Sequence, residues 1–294
     1  MYNVDSYFEI GSGHQICQDF ATHGQLTVPE FGTVVWGIVS DGCSGSPNSD
    51  TGARVLTHMM DKAIKNFLAV CPSVFDQPVE LLKNTLFAGV MGTGPRKCAP
   101  ILGAITCLGL DVESLDATLW VLLSITKNGK TTFKIVGWGD GELVVVRKKS
   151  TTIHFLEYPS GAPFYLSYHL DAERLLKYLN VFGGILRHDV LCSDGEILSV
   201  CGRDLSCQQT FMTTVEDISD NDIVSVSVFT DGTKTYNKDV QDRDVWSIKR
   251  LVDFQSVEGA FLQRRMKAVE RRDSKERILH HDDIGAVSMA LLEE

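Results

Sequence analysis

"WGIVSDGCSGSPNSDTGARVL", residues 36–56, is the stretch on which the fold turns. The run "FGTVVWGIVSDG" is rich in Val and Ile, reads as a buried strand, and ends in Asp41 and Gly42. A loop of small residues follows, and then "SDTGARVLTHMMDKAIKNFLAV". Its apolar positions Val55, Leu56, Met59, Met60, Ala63, Ile64 and Phe67 recur at helical spacing. Ser49 or Asp50 can cap this helix by accepting hydrogen bonds from the free amides of its first turn. Pro72 lies just past its end. A carboxylate therefore stands where a buried strand stops, and its partners must come from elsewhere in the chain.

Outward from this stretch, "PVELLKNTLFAGV" (residues 78–90) reads as a second helix with Pro78 in the first turn. "RKCAPILGAITCLGL" resumes as helix after "MGTGP". "ATLWVLLSIT", "TTFKIVGWG" and "ELVVVRKK" read as three strands of an antiparallel meander. Asn128 and Gly129 mark the first turn and Asp140 and Gly141 the second. "YPSGAPFYLSYHL" reads as an aromatic loop and "DAERLLKYL" as a short helix, while residues 181–220 carry no clear pattern. "DIVSVSVFTDG" is a further strand ending in Asp-Gly. "DVWSIKRLVDFQ" and "VEGAFLQRRMKAVERR" read as helices, and "DDIGAVSMALL" as a last strand entered through paired aspartates. Strands and helices come in blocks rather than in strict alternation, which favours α+β over a doubly wound parallel sheet.

The chain has 294 residues, 44% hydrophobic and 22% charged, enough for a sizeable core. No linker divides it, so residues 1–294 are expected to form a single domain. A net charge of −10 disfavours binding to nucleic acid. No long apolar run and no signal peptide of the usual form occur, so no membrane span is expected. The eight cysteines contain no CxxC pair, which fits reduced thiols in a cytoplasmic compartment.

The recurrent chemical feature is acid at strand ends. Asp41 follows "VVWGIVS", Asp231 follows "VSVSVFT", Asp282 and Asp283 precede "IGAVSMALL", and Asp19 sits in "HQICQDFA". Strand ends of one sheet share an edge, so these carboxylates can converge. Converging carboxylates raise one another's pKa unless cations neutralise them. Oxygen-only ligands suit Mg²⁺ or Mn²⁺ rather than zinc. Two such ions about 4 Å apart can share a water and lower its pKa towards neutrality. Any one Asp-Gly pair is by itself an ordinary turn, and Asp140-Gly141 and Asp194-Gly195 are read that way. His280 and His281 in "HHDD" are read as solvated loop residues, because adjacent side chains point apart. "RRMKAVERRDSKER" is read as a solvated helix face with charge pairs.

The motif order resembles the metal-dependent protein phosphatases, the type 2C Ser/Thr phosphatases, over essentially the whole chain. "CQDFA", "SDGCSGS" with "GAR", "DATL", "GDG", "FTDG", "FLQRRM" and "HDDIGA" stand in that family's order, nearest to a bacterial-type branch. The resemblance implies a central β-sandwich of two antiparallel sheets flanked by helix pairs, a four-layer α-β-β-α arrangement. It implies two Mn²⁺ or Mg²⁺ ions, with Asp41 bridging them and the Gly42 carbonyl ligating one. Asp231 and Asp282 would complete the first site, Asp19 would hold the second, and Asp116 would serve a weaker third ion. The activity implied is hydrolysis of phosphoserine and phosphothreonine in proteins by a metal-bridging hydroxide, opposing a Ser/Thr kinase. "YPSGAPFYLSYHL" resembles that branch's flap beside the metal cleft.

Two departures stand out. His14 occupies the position of a phosphate-clamping arginine, five residues before Asp19, and offers one donor when protonated. Cys43 replaces a histidine after the Asp-Gly pair and is a candidate proton donor. These substitutions keep two alternatives open: a phosphatase-like binding module without turnover, and a phosphatase of small phosphorylated molecules.

Overall fold

The computed structural model describes residues 2–92, 99–158, 160–183, 186–194, 197–206, 210–216, 222–235, 248–275 and 280–292. Strands β1 (Tyr2–Glu9), β2 (Phe20–Val28) and β3 (Gly32–Ser40) lead into helices α1 (Ser49–Val70), α2 (Val79–Met91) and α3 (Ala99–Cys107). Then come β4 (Leu119–Lys127), β5 (Lys130–Trp138), β6 (Gly141–Arg147), β7 (Ser150–Glu157) and helix α4 (Ala172–Phe182). Strands β8 (Leu186–Asp194), β9 (Ile197–Ser206), β10 (Thr210–Glu216) and β11 (Ile223–Phe229) precede helix α5 (Phe261–Lys275) and β12 (Ile284–Leu291).

The strands form two antiparallel sheets, one ordered β1-β12-β11-β6-β7-β8-β9 and the other β10-β5-β4-β3-β2. β3 shows why its sequence is apolar without a break. Val34, Trp36 and Ile38 face the helical layer of α1, α2 and α3, while Val35 and Val39 face the other sheet. A strand covered on both sides loses the usual in-out alternation of polarity. Between the sheets, Trp120, Phe133, Leu143 and Val287 form the central core. Behind the seven-stranded sheet, Phe229, Ile248, Leu251, Phe261 and Leu262 form a third core with α5 and a helical turn at 248–251. The four-layer α-β-β-α order expected from the sequence is present.

Several local expectations change. The meander breaks at its second turn: β4 and β5 pair with each other, but β6 pairs with β11 and β7 in the opposite sheet. The chain turns that corner on Gly139 (φ 91°) and Gly141 (φ 152°), a left-handed backbone that disfavours side chains. Asp140 is thereby carried between the sheets rather than into a solvated hairpin. By contrast, Asn128 (φ 50°) and Gly129 (φ 77°) do form the tight turn expected of them. α1 is not capped by Ser49 or Asp50. Asn48 is its N-cap, in the left-handed region, and the Ser49 hydroxyl donates to the Cys43 carbonyl at 2.7 Å.

The segment at 181–220 that carried no pattern includes β8 and β9 at one sheet edge and β10 at the other. Asp194 lies within β8, and Gly195 falls outside the described residues. α5 starts at Phe261, later than "VEGAF" suggests, and residues 244–247 of the preceding expected helix lie outside the described residues. Cys192 is disulfide-bonded, a departure from reduced thiols throughout, while Cys17, Cys43, Cys71 and Cys107 are free. Among the described residues no helix is long and apolar enough to cross a membrane.

The sheets pack tightly at Gly37, where an added Cβ would lie 1.9 Å from Cγ1 of Val287. Overpacking of this kind costs about 1–3 kcal/mol. Gly37→Ala should lower the free energy of unfolding by that amount, read as a lower urea midpoint with an unchanged m-value. An unshifted midpoint would mean that the sheets part there freely.

Candidate metal centre

Five chain segments meet at one end of the sandwich. β3 ends at Ser40, whose hydroxyl donates to the Thr118 carbonyl at 2.5 Å. The next residue, Asp41, is locked by its own amide to Thr118 Oγ1 (3.0 Å) and by the Thr118 amide to its carbonyl (2.8 Å). Gly42 is buried, bridges to Ala117, and donates its amide to the Gln18 carbonyl at 3.2 Å. The strand end seen in the sequence is therefore clamped to the segments before β2 and β4.

Asp19, 1% exposed, enters from the β2 side. Its Oδ2 accepts from Thr230 Oγ1 at 2.6 Å, and its Oδ1 is buried with no hydrogen-bond partner. Its carboxyl lies against that of Asp41. Burial raises the Asp19 pKa to about 7; hydrogen bonds from Asp41 and Thr230 oppose the shift, and the charges of Asp283 and Asp231 add to it. Asp41 is raised well above the carboxylate range, first by loss of solvation and then by Asp19 and Asp231. Asp282 is raised too, by burial and by Asp231. The four residues expected as ligands, Asp19, Asp41, Asp231 and Asp282, thus lie in one electrostatic cluster.

The paired aspartates divide their work. Asp283, 2% exposed, accepts from the Gly11 amide at 2.7 Å and the Gln18 amide at 2.5 Å. It pins the segment that carries Asp19. Asp282 keeps its side chain 41% exposed towards the cleft. His14 lies against both, with Nδ1 3.1 Å from Asp283 and Nε2 3.6 Å from Asp282. Burial works to lower its pKa, but the bond to Asp283 and the surrounding acids raise it overall. His281 is exposed, as expected of a solvated loop residue, but His280 is buried, with Nδ1 2.8 Å from the Asp282 carbonyl oxygen.

Asp116 does not join the cluster as expected. Arg174 of α4 grips both its oxygens, at 2.9 and 2.8 Å, and the hydroxyls of Ser46 and Ser167 add to them. A carboxylate so fully used by protein donors is a poor ligand for a third ion.

Sequence reasoning missed three participants. Asp140, taken for a turn residue, is raised to about 7 by loss of solvation and by Asp231, with Lys234 opposing the shift. Lys234 stands three residues beyond Asp231, with Nζ 3.0 Å from Glu157 Oε1. Tyr165, from the aromatic loop, is 8% exposed and lies beside the Cys43 thiol. Its phenol is pushed up by burial and by Cys43, Asp140 and Asp41. The glycines flanking Asp140 were the one available signal. Nothing local marks Lys234.

The donor set fits divalent cations. It is all oxygen, its carboxyls crowd one another, and Asp19 Oδ1 is an orphaned acceptor within it. Among the described residues no three acidic, histidine or cysteine side chains are already spaced around a single ion position.

A family model described as "Protein phosphatase 2C" matches residues 11–278. Among solved structures, a bacterial serine phosphatase matches at 12% identity and TM-score 0.55, covering 100% of this chain and 99% of its own. Serine/threonine phosphatase Stp1 from Staphylococcus aureus matches at 11% and 0.52, covering 100% and 96%. The Mycobacterium tuberculosis serine/threonine phosphatase PstP/Ppp matches at 11% and 0.51, covering 99% of each chain. At such identities the structural likeness carries the fold alone. A search of curated proteins finds no match.

The raised carboxyl pKa values set a pH dependence. Asp19 and Asp140 titrate near 7 when folded, against about 3.9 unfolded. Between those values the folded chain holds protons that the unfolded chain has released. Stability of the metal-free protein should therefore fall as pH rises from about 4 to about 7, by at most about 1.4 kcal/mol per pH unit for each group. Urea titrations in EDTA across this window check it, and Asp19→Asn should flatten the slope. A metal-free protein that gains stability over the same window would contradict the cluster.

Proposed function

The chain belongs to the protein phosphatase 2C family, and on that footing we propose that it removes phosphate from phosphoserine and phosphothreonine of proteins using two Mn²⁺ or Mg²⁺ ions. The family is one of phosphatases, so the chain is read as an enzyme, here a single catalytic domain. One observation carries the finer reading: Asp19, Asp41, Asp231 and Asp282, far apart in sequence, share one cluster whose mutual repulsion calls for cations. Those four side chains and the Gly42 carbonyl are the proposed ligands.

When bound, the ion pair supplies a water activated near neutral pH and positive charge for the phosphoryl oxygens. The chain's own groups do the rest. Asp41, fixed at both its amide and its carbonyl, sets where the ions sit. His14 is best read as holding Asp282 and Asp283 in place rather than as a phosphate clamp, since both ring nitrogens face those carboxylates. Cys43 and Tyr165 lie together beside Asp41. A phenol that stays protonated at neutral pH can pass a proton to the departing serine or threonine oxygen, and so take the role first assigned to Cys43. A Ser/Thr kinase acting on the same residues must supply the phosphate ester.

The test is Mn²⁺-dependent release of phosphate from a phosphothreonine peptide. Asp41→Asn should lower kcat/KM by about a hundredfold or more. Cys43→Ser should cost far less if Tyr165 holds the proton. Equal turnover by the Asp41 variant, or a preference of orders of magnitude for small phosphate esters over the peptide, would defeat the reading.

A further inference from the structure

The end of the seven-stranded sheet away from the metal centre carries a groove that the proposed chemistry leaves unused. β11 runs from Ile223 to Phe229 towards Asp231, and β12 runs from Ile284, next to Asp283, to Leu291. β6 leaves Gly141, beside Asp140, and ends at Arg147, with Ile223 paired to Arg147 and Phe229 to Glu142. At about 3.3 Å per strand residue, the far end of β11 is about 20 Å from its metal-centre end. There an open groove of about 450 Å³ lies between the β6–β7 turn and the helical turn at 248–251. A further hollow of about 340 Å³ continues it along residues 254–258, sharing Val224, Val252 and Phe254 with it.

The lining is apolar at Val146, Val224, Val252 and Phe254, and Val224 is 37% exposed. It is basic at Arg147, Lys148, Lys149 and Lys249, with Asp253 as the acid among the described residues that line it. The nearby acids are already matched: Arg147 pairs with Asp222 at 2.8 Å, and Asp253 with Arg265 at 3.2 Å. Lys148 and Lys149 are exposed, and among the described residues neither ammonium is held in an ion pair. A chain of net charge −10 thus gathers uncompensated positive charge beside exposed apolar surface.

That combination selects a partner. Carboxylates complement the lysines, and apolar side chains set among those carboxylates complement Val224 and Phe254. A nucleic acid has no such side chains, and the rest of this acidic molecule repels its backbone. We propose that this groove docks an acidic segment of the protein substrate, with apolar residues between its carboxylates, while the phosphorylated residue reaches the metal centre at the other end of the sheet. The role in substrate capture rests on the phosphatase reading above; the preference for acidic segments is measured without it. Spanning about 20 Å takes at least about six extended residues, so the groove never touches the reacting atoms. Binding energy gained there is the same before and during the reaction, which lowers KM and leaves kcat unchanged.

Two measurements test it. The first is binding of a fluorescein-labelled peptide of Glu-Glu-Leu repeats to the metal-free protein in EDTA at low salt. The peptide should bind, weaken as salt rises, and lose about fivefold or more in affinity with Lys148→Glu/Lys149→Glu. Lys62→Glu/Lys83→Glu makes the same charge change on α1 and α2, behind the other sheet, and should bind the peptide nearly as wild type does. The second measurement joins the Glu-Glu-Leu segment to the phosphothreonine peptide through a Gly-Ser linker. The joined peptide should show a lower KM at unchanged kcat, and Lys148→Glu/Lys149→Glu should remove that gain while turning over the short phosphothreonine peptide as wild type does. No binding, equal binding of a Gln-Gln-Leu peptide, or an equal loss in Lys62→Glu/Lys83→Glu would overturn the proposal. So would tighter binding of an oligonucleotide or a phosphatidylserine vesicle, or self-association of the chain that the Lys148/Lys149 variant abolishes. Binding through the lysines with no fall in KM would overturn the role in substrate capture. No turnover of any phosphopeptide would instead sink the phosphatase reading and leave the binding result standing.

Discussion

Carboxylates crowded at the mouth of a β-sandwich set the terms for everything around them. The carboxyls of Asp19 and Asp41 lie against each other, with Asp231, Asp282 and Asp140 adding their fields. Water cannot screen these charges, because the surrounding protein removes most of their solvation. An arrangement that costs folding free energy persists where a bound cation recovers it. Such a constraint pushes the pKa values of Asp19, Asp41 and Asp140 above the usual carboxylate range.

The backbone holds the crowd together with bonds that do not depend on charge. Thr118 fixes Asp41, Thr230 fixes Asp19, and the amides of Gly11 and Gln18 fix Asp283. Around the rim the chain sets cations against acids: His14 on Asp282 and Asp283, Arg174 on Asp116, and Lys234 on Glu157. The interior of the cluster, Asp19 with Asp41, receives none of these.

The corner at Gly139–Gly141 ties architecture to chemistry. A chain that kept to one sheet would leave Asp140 in a solvated hairpin. By crossing to the other sheet it brings that residue to Asp231 and stacks the ring of Trp120 against the turn, with Nε1 donating to the Asp140 carbonyl at 2.8 Å. The aromatic loop closes the same end from above, where Tyr165 meets Cys43 and Tyr178 packs on Phe164 and Tyr168. Binding elements from both sheets thus converge at their shared edge.

The sequence by itself determined the blocks of strand and helix and the aspartates at strand ends. Val and Ile runs bounded by Asp-Gly, and helical spacing after Asp41, are local signals written in side-chain periodicity. They sufficed to single out Asp19, Asp41, Asp231 and Asp282, while the two sheets between helices were implied by the resemblance of the motif order to the type 2C phosphatases. Only the tertiary structure decided which further charges matter. Asp140 reads as a turn residue and Asp116 as a third-ion candidate, yet Asp140 feels the charge of Asp231 and Asp116 is captured by Arg174 from α4. Lys234 gives no local sign at all. The reason is physical: a strand's burial is set by its own neighbours every second residue, whereas a charge is defined by what the fold brings within a few ångströms, from segments that may lie a hundred residues or more away.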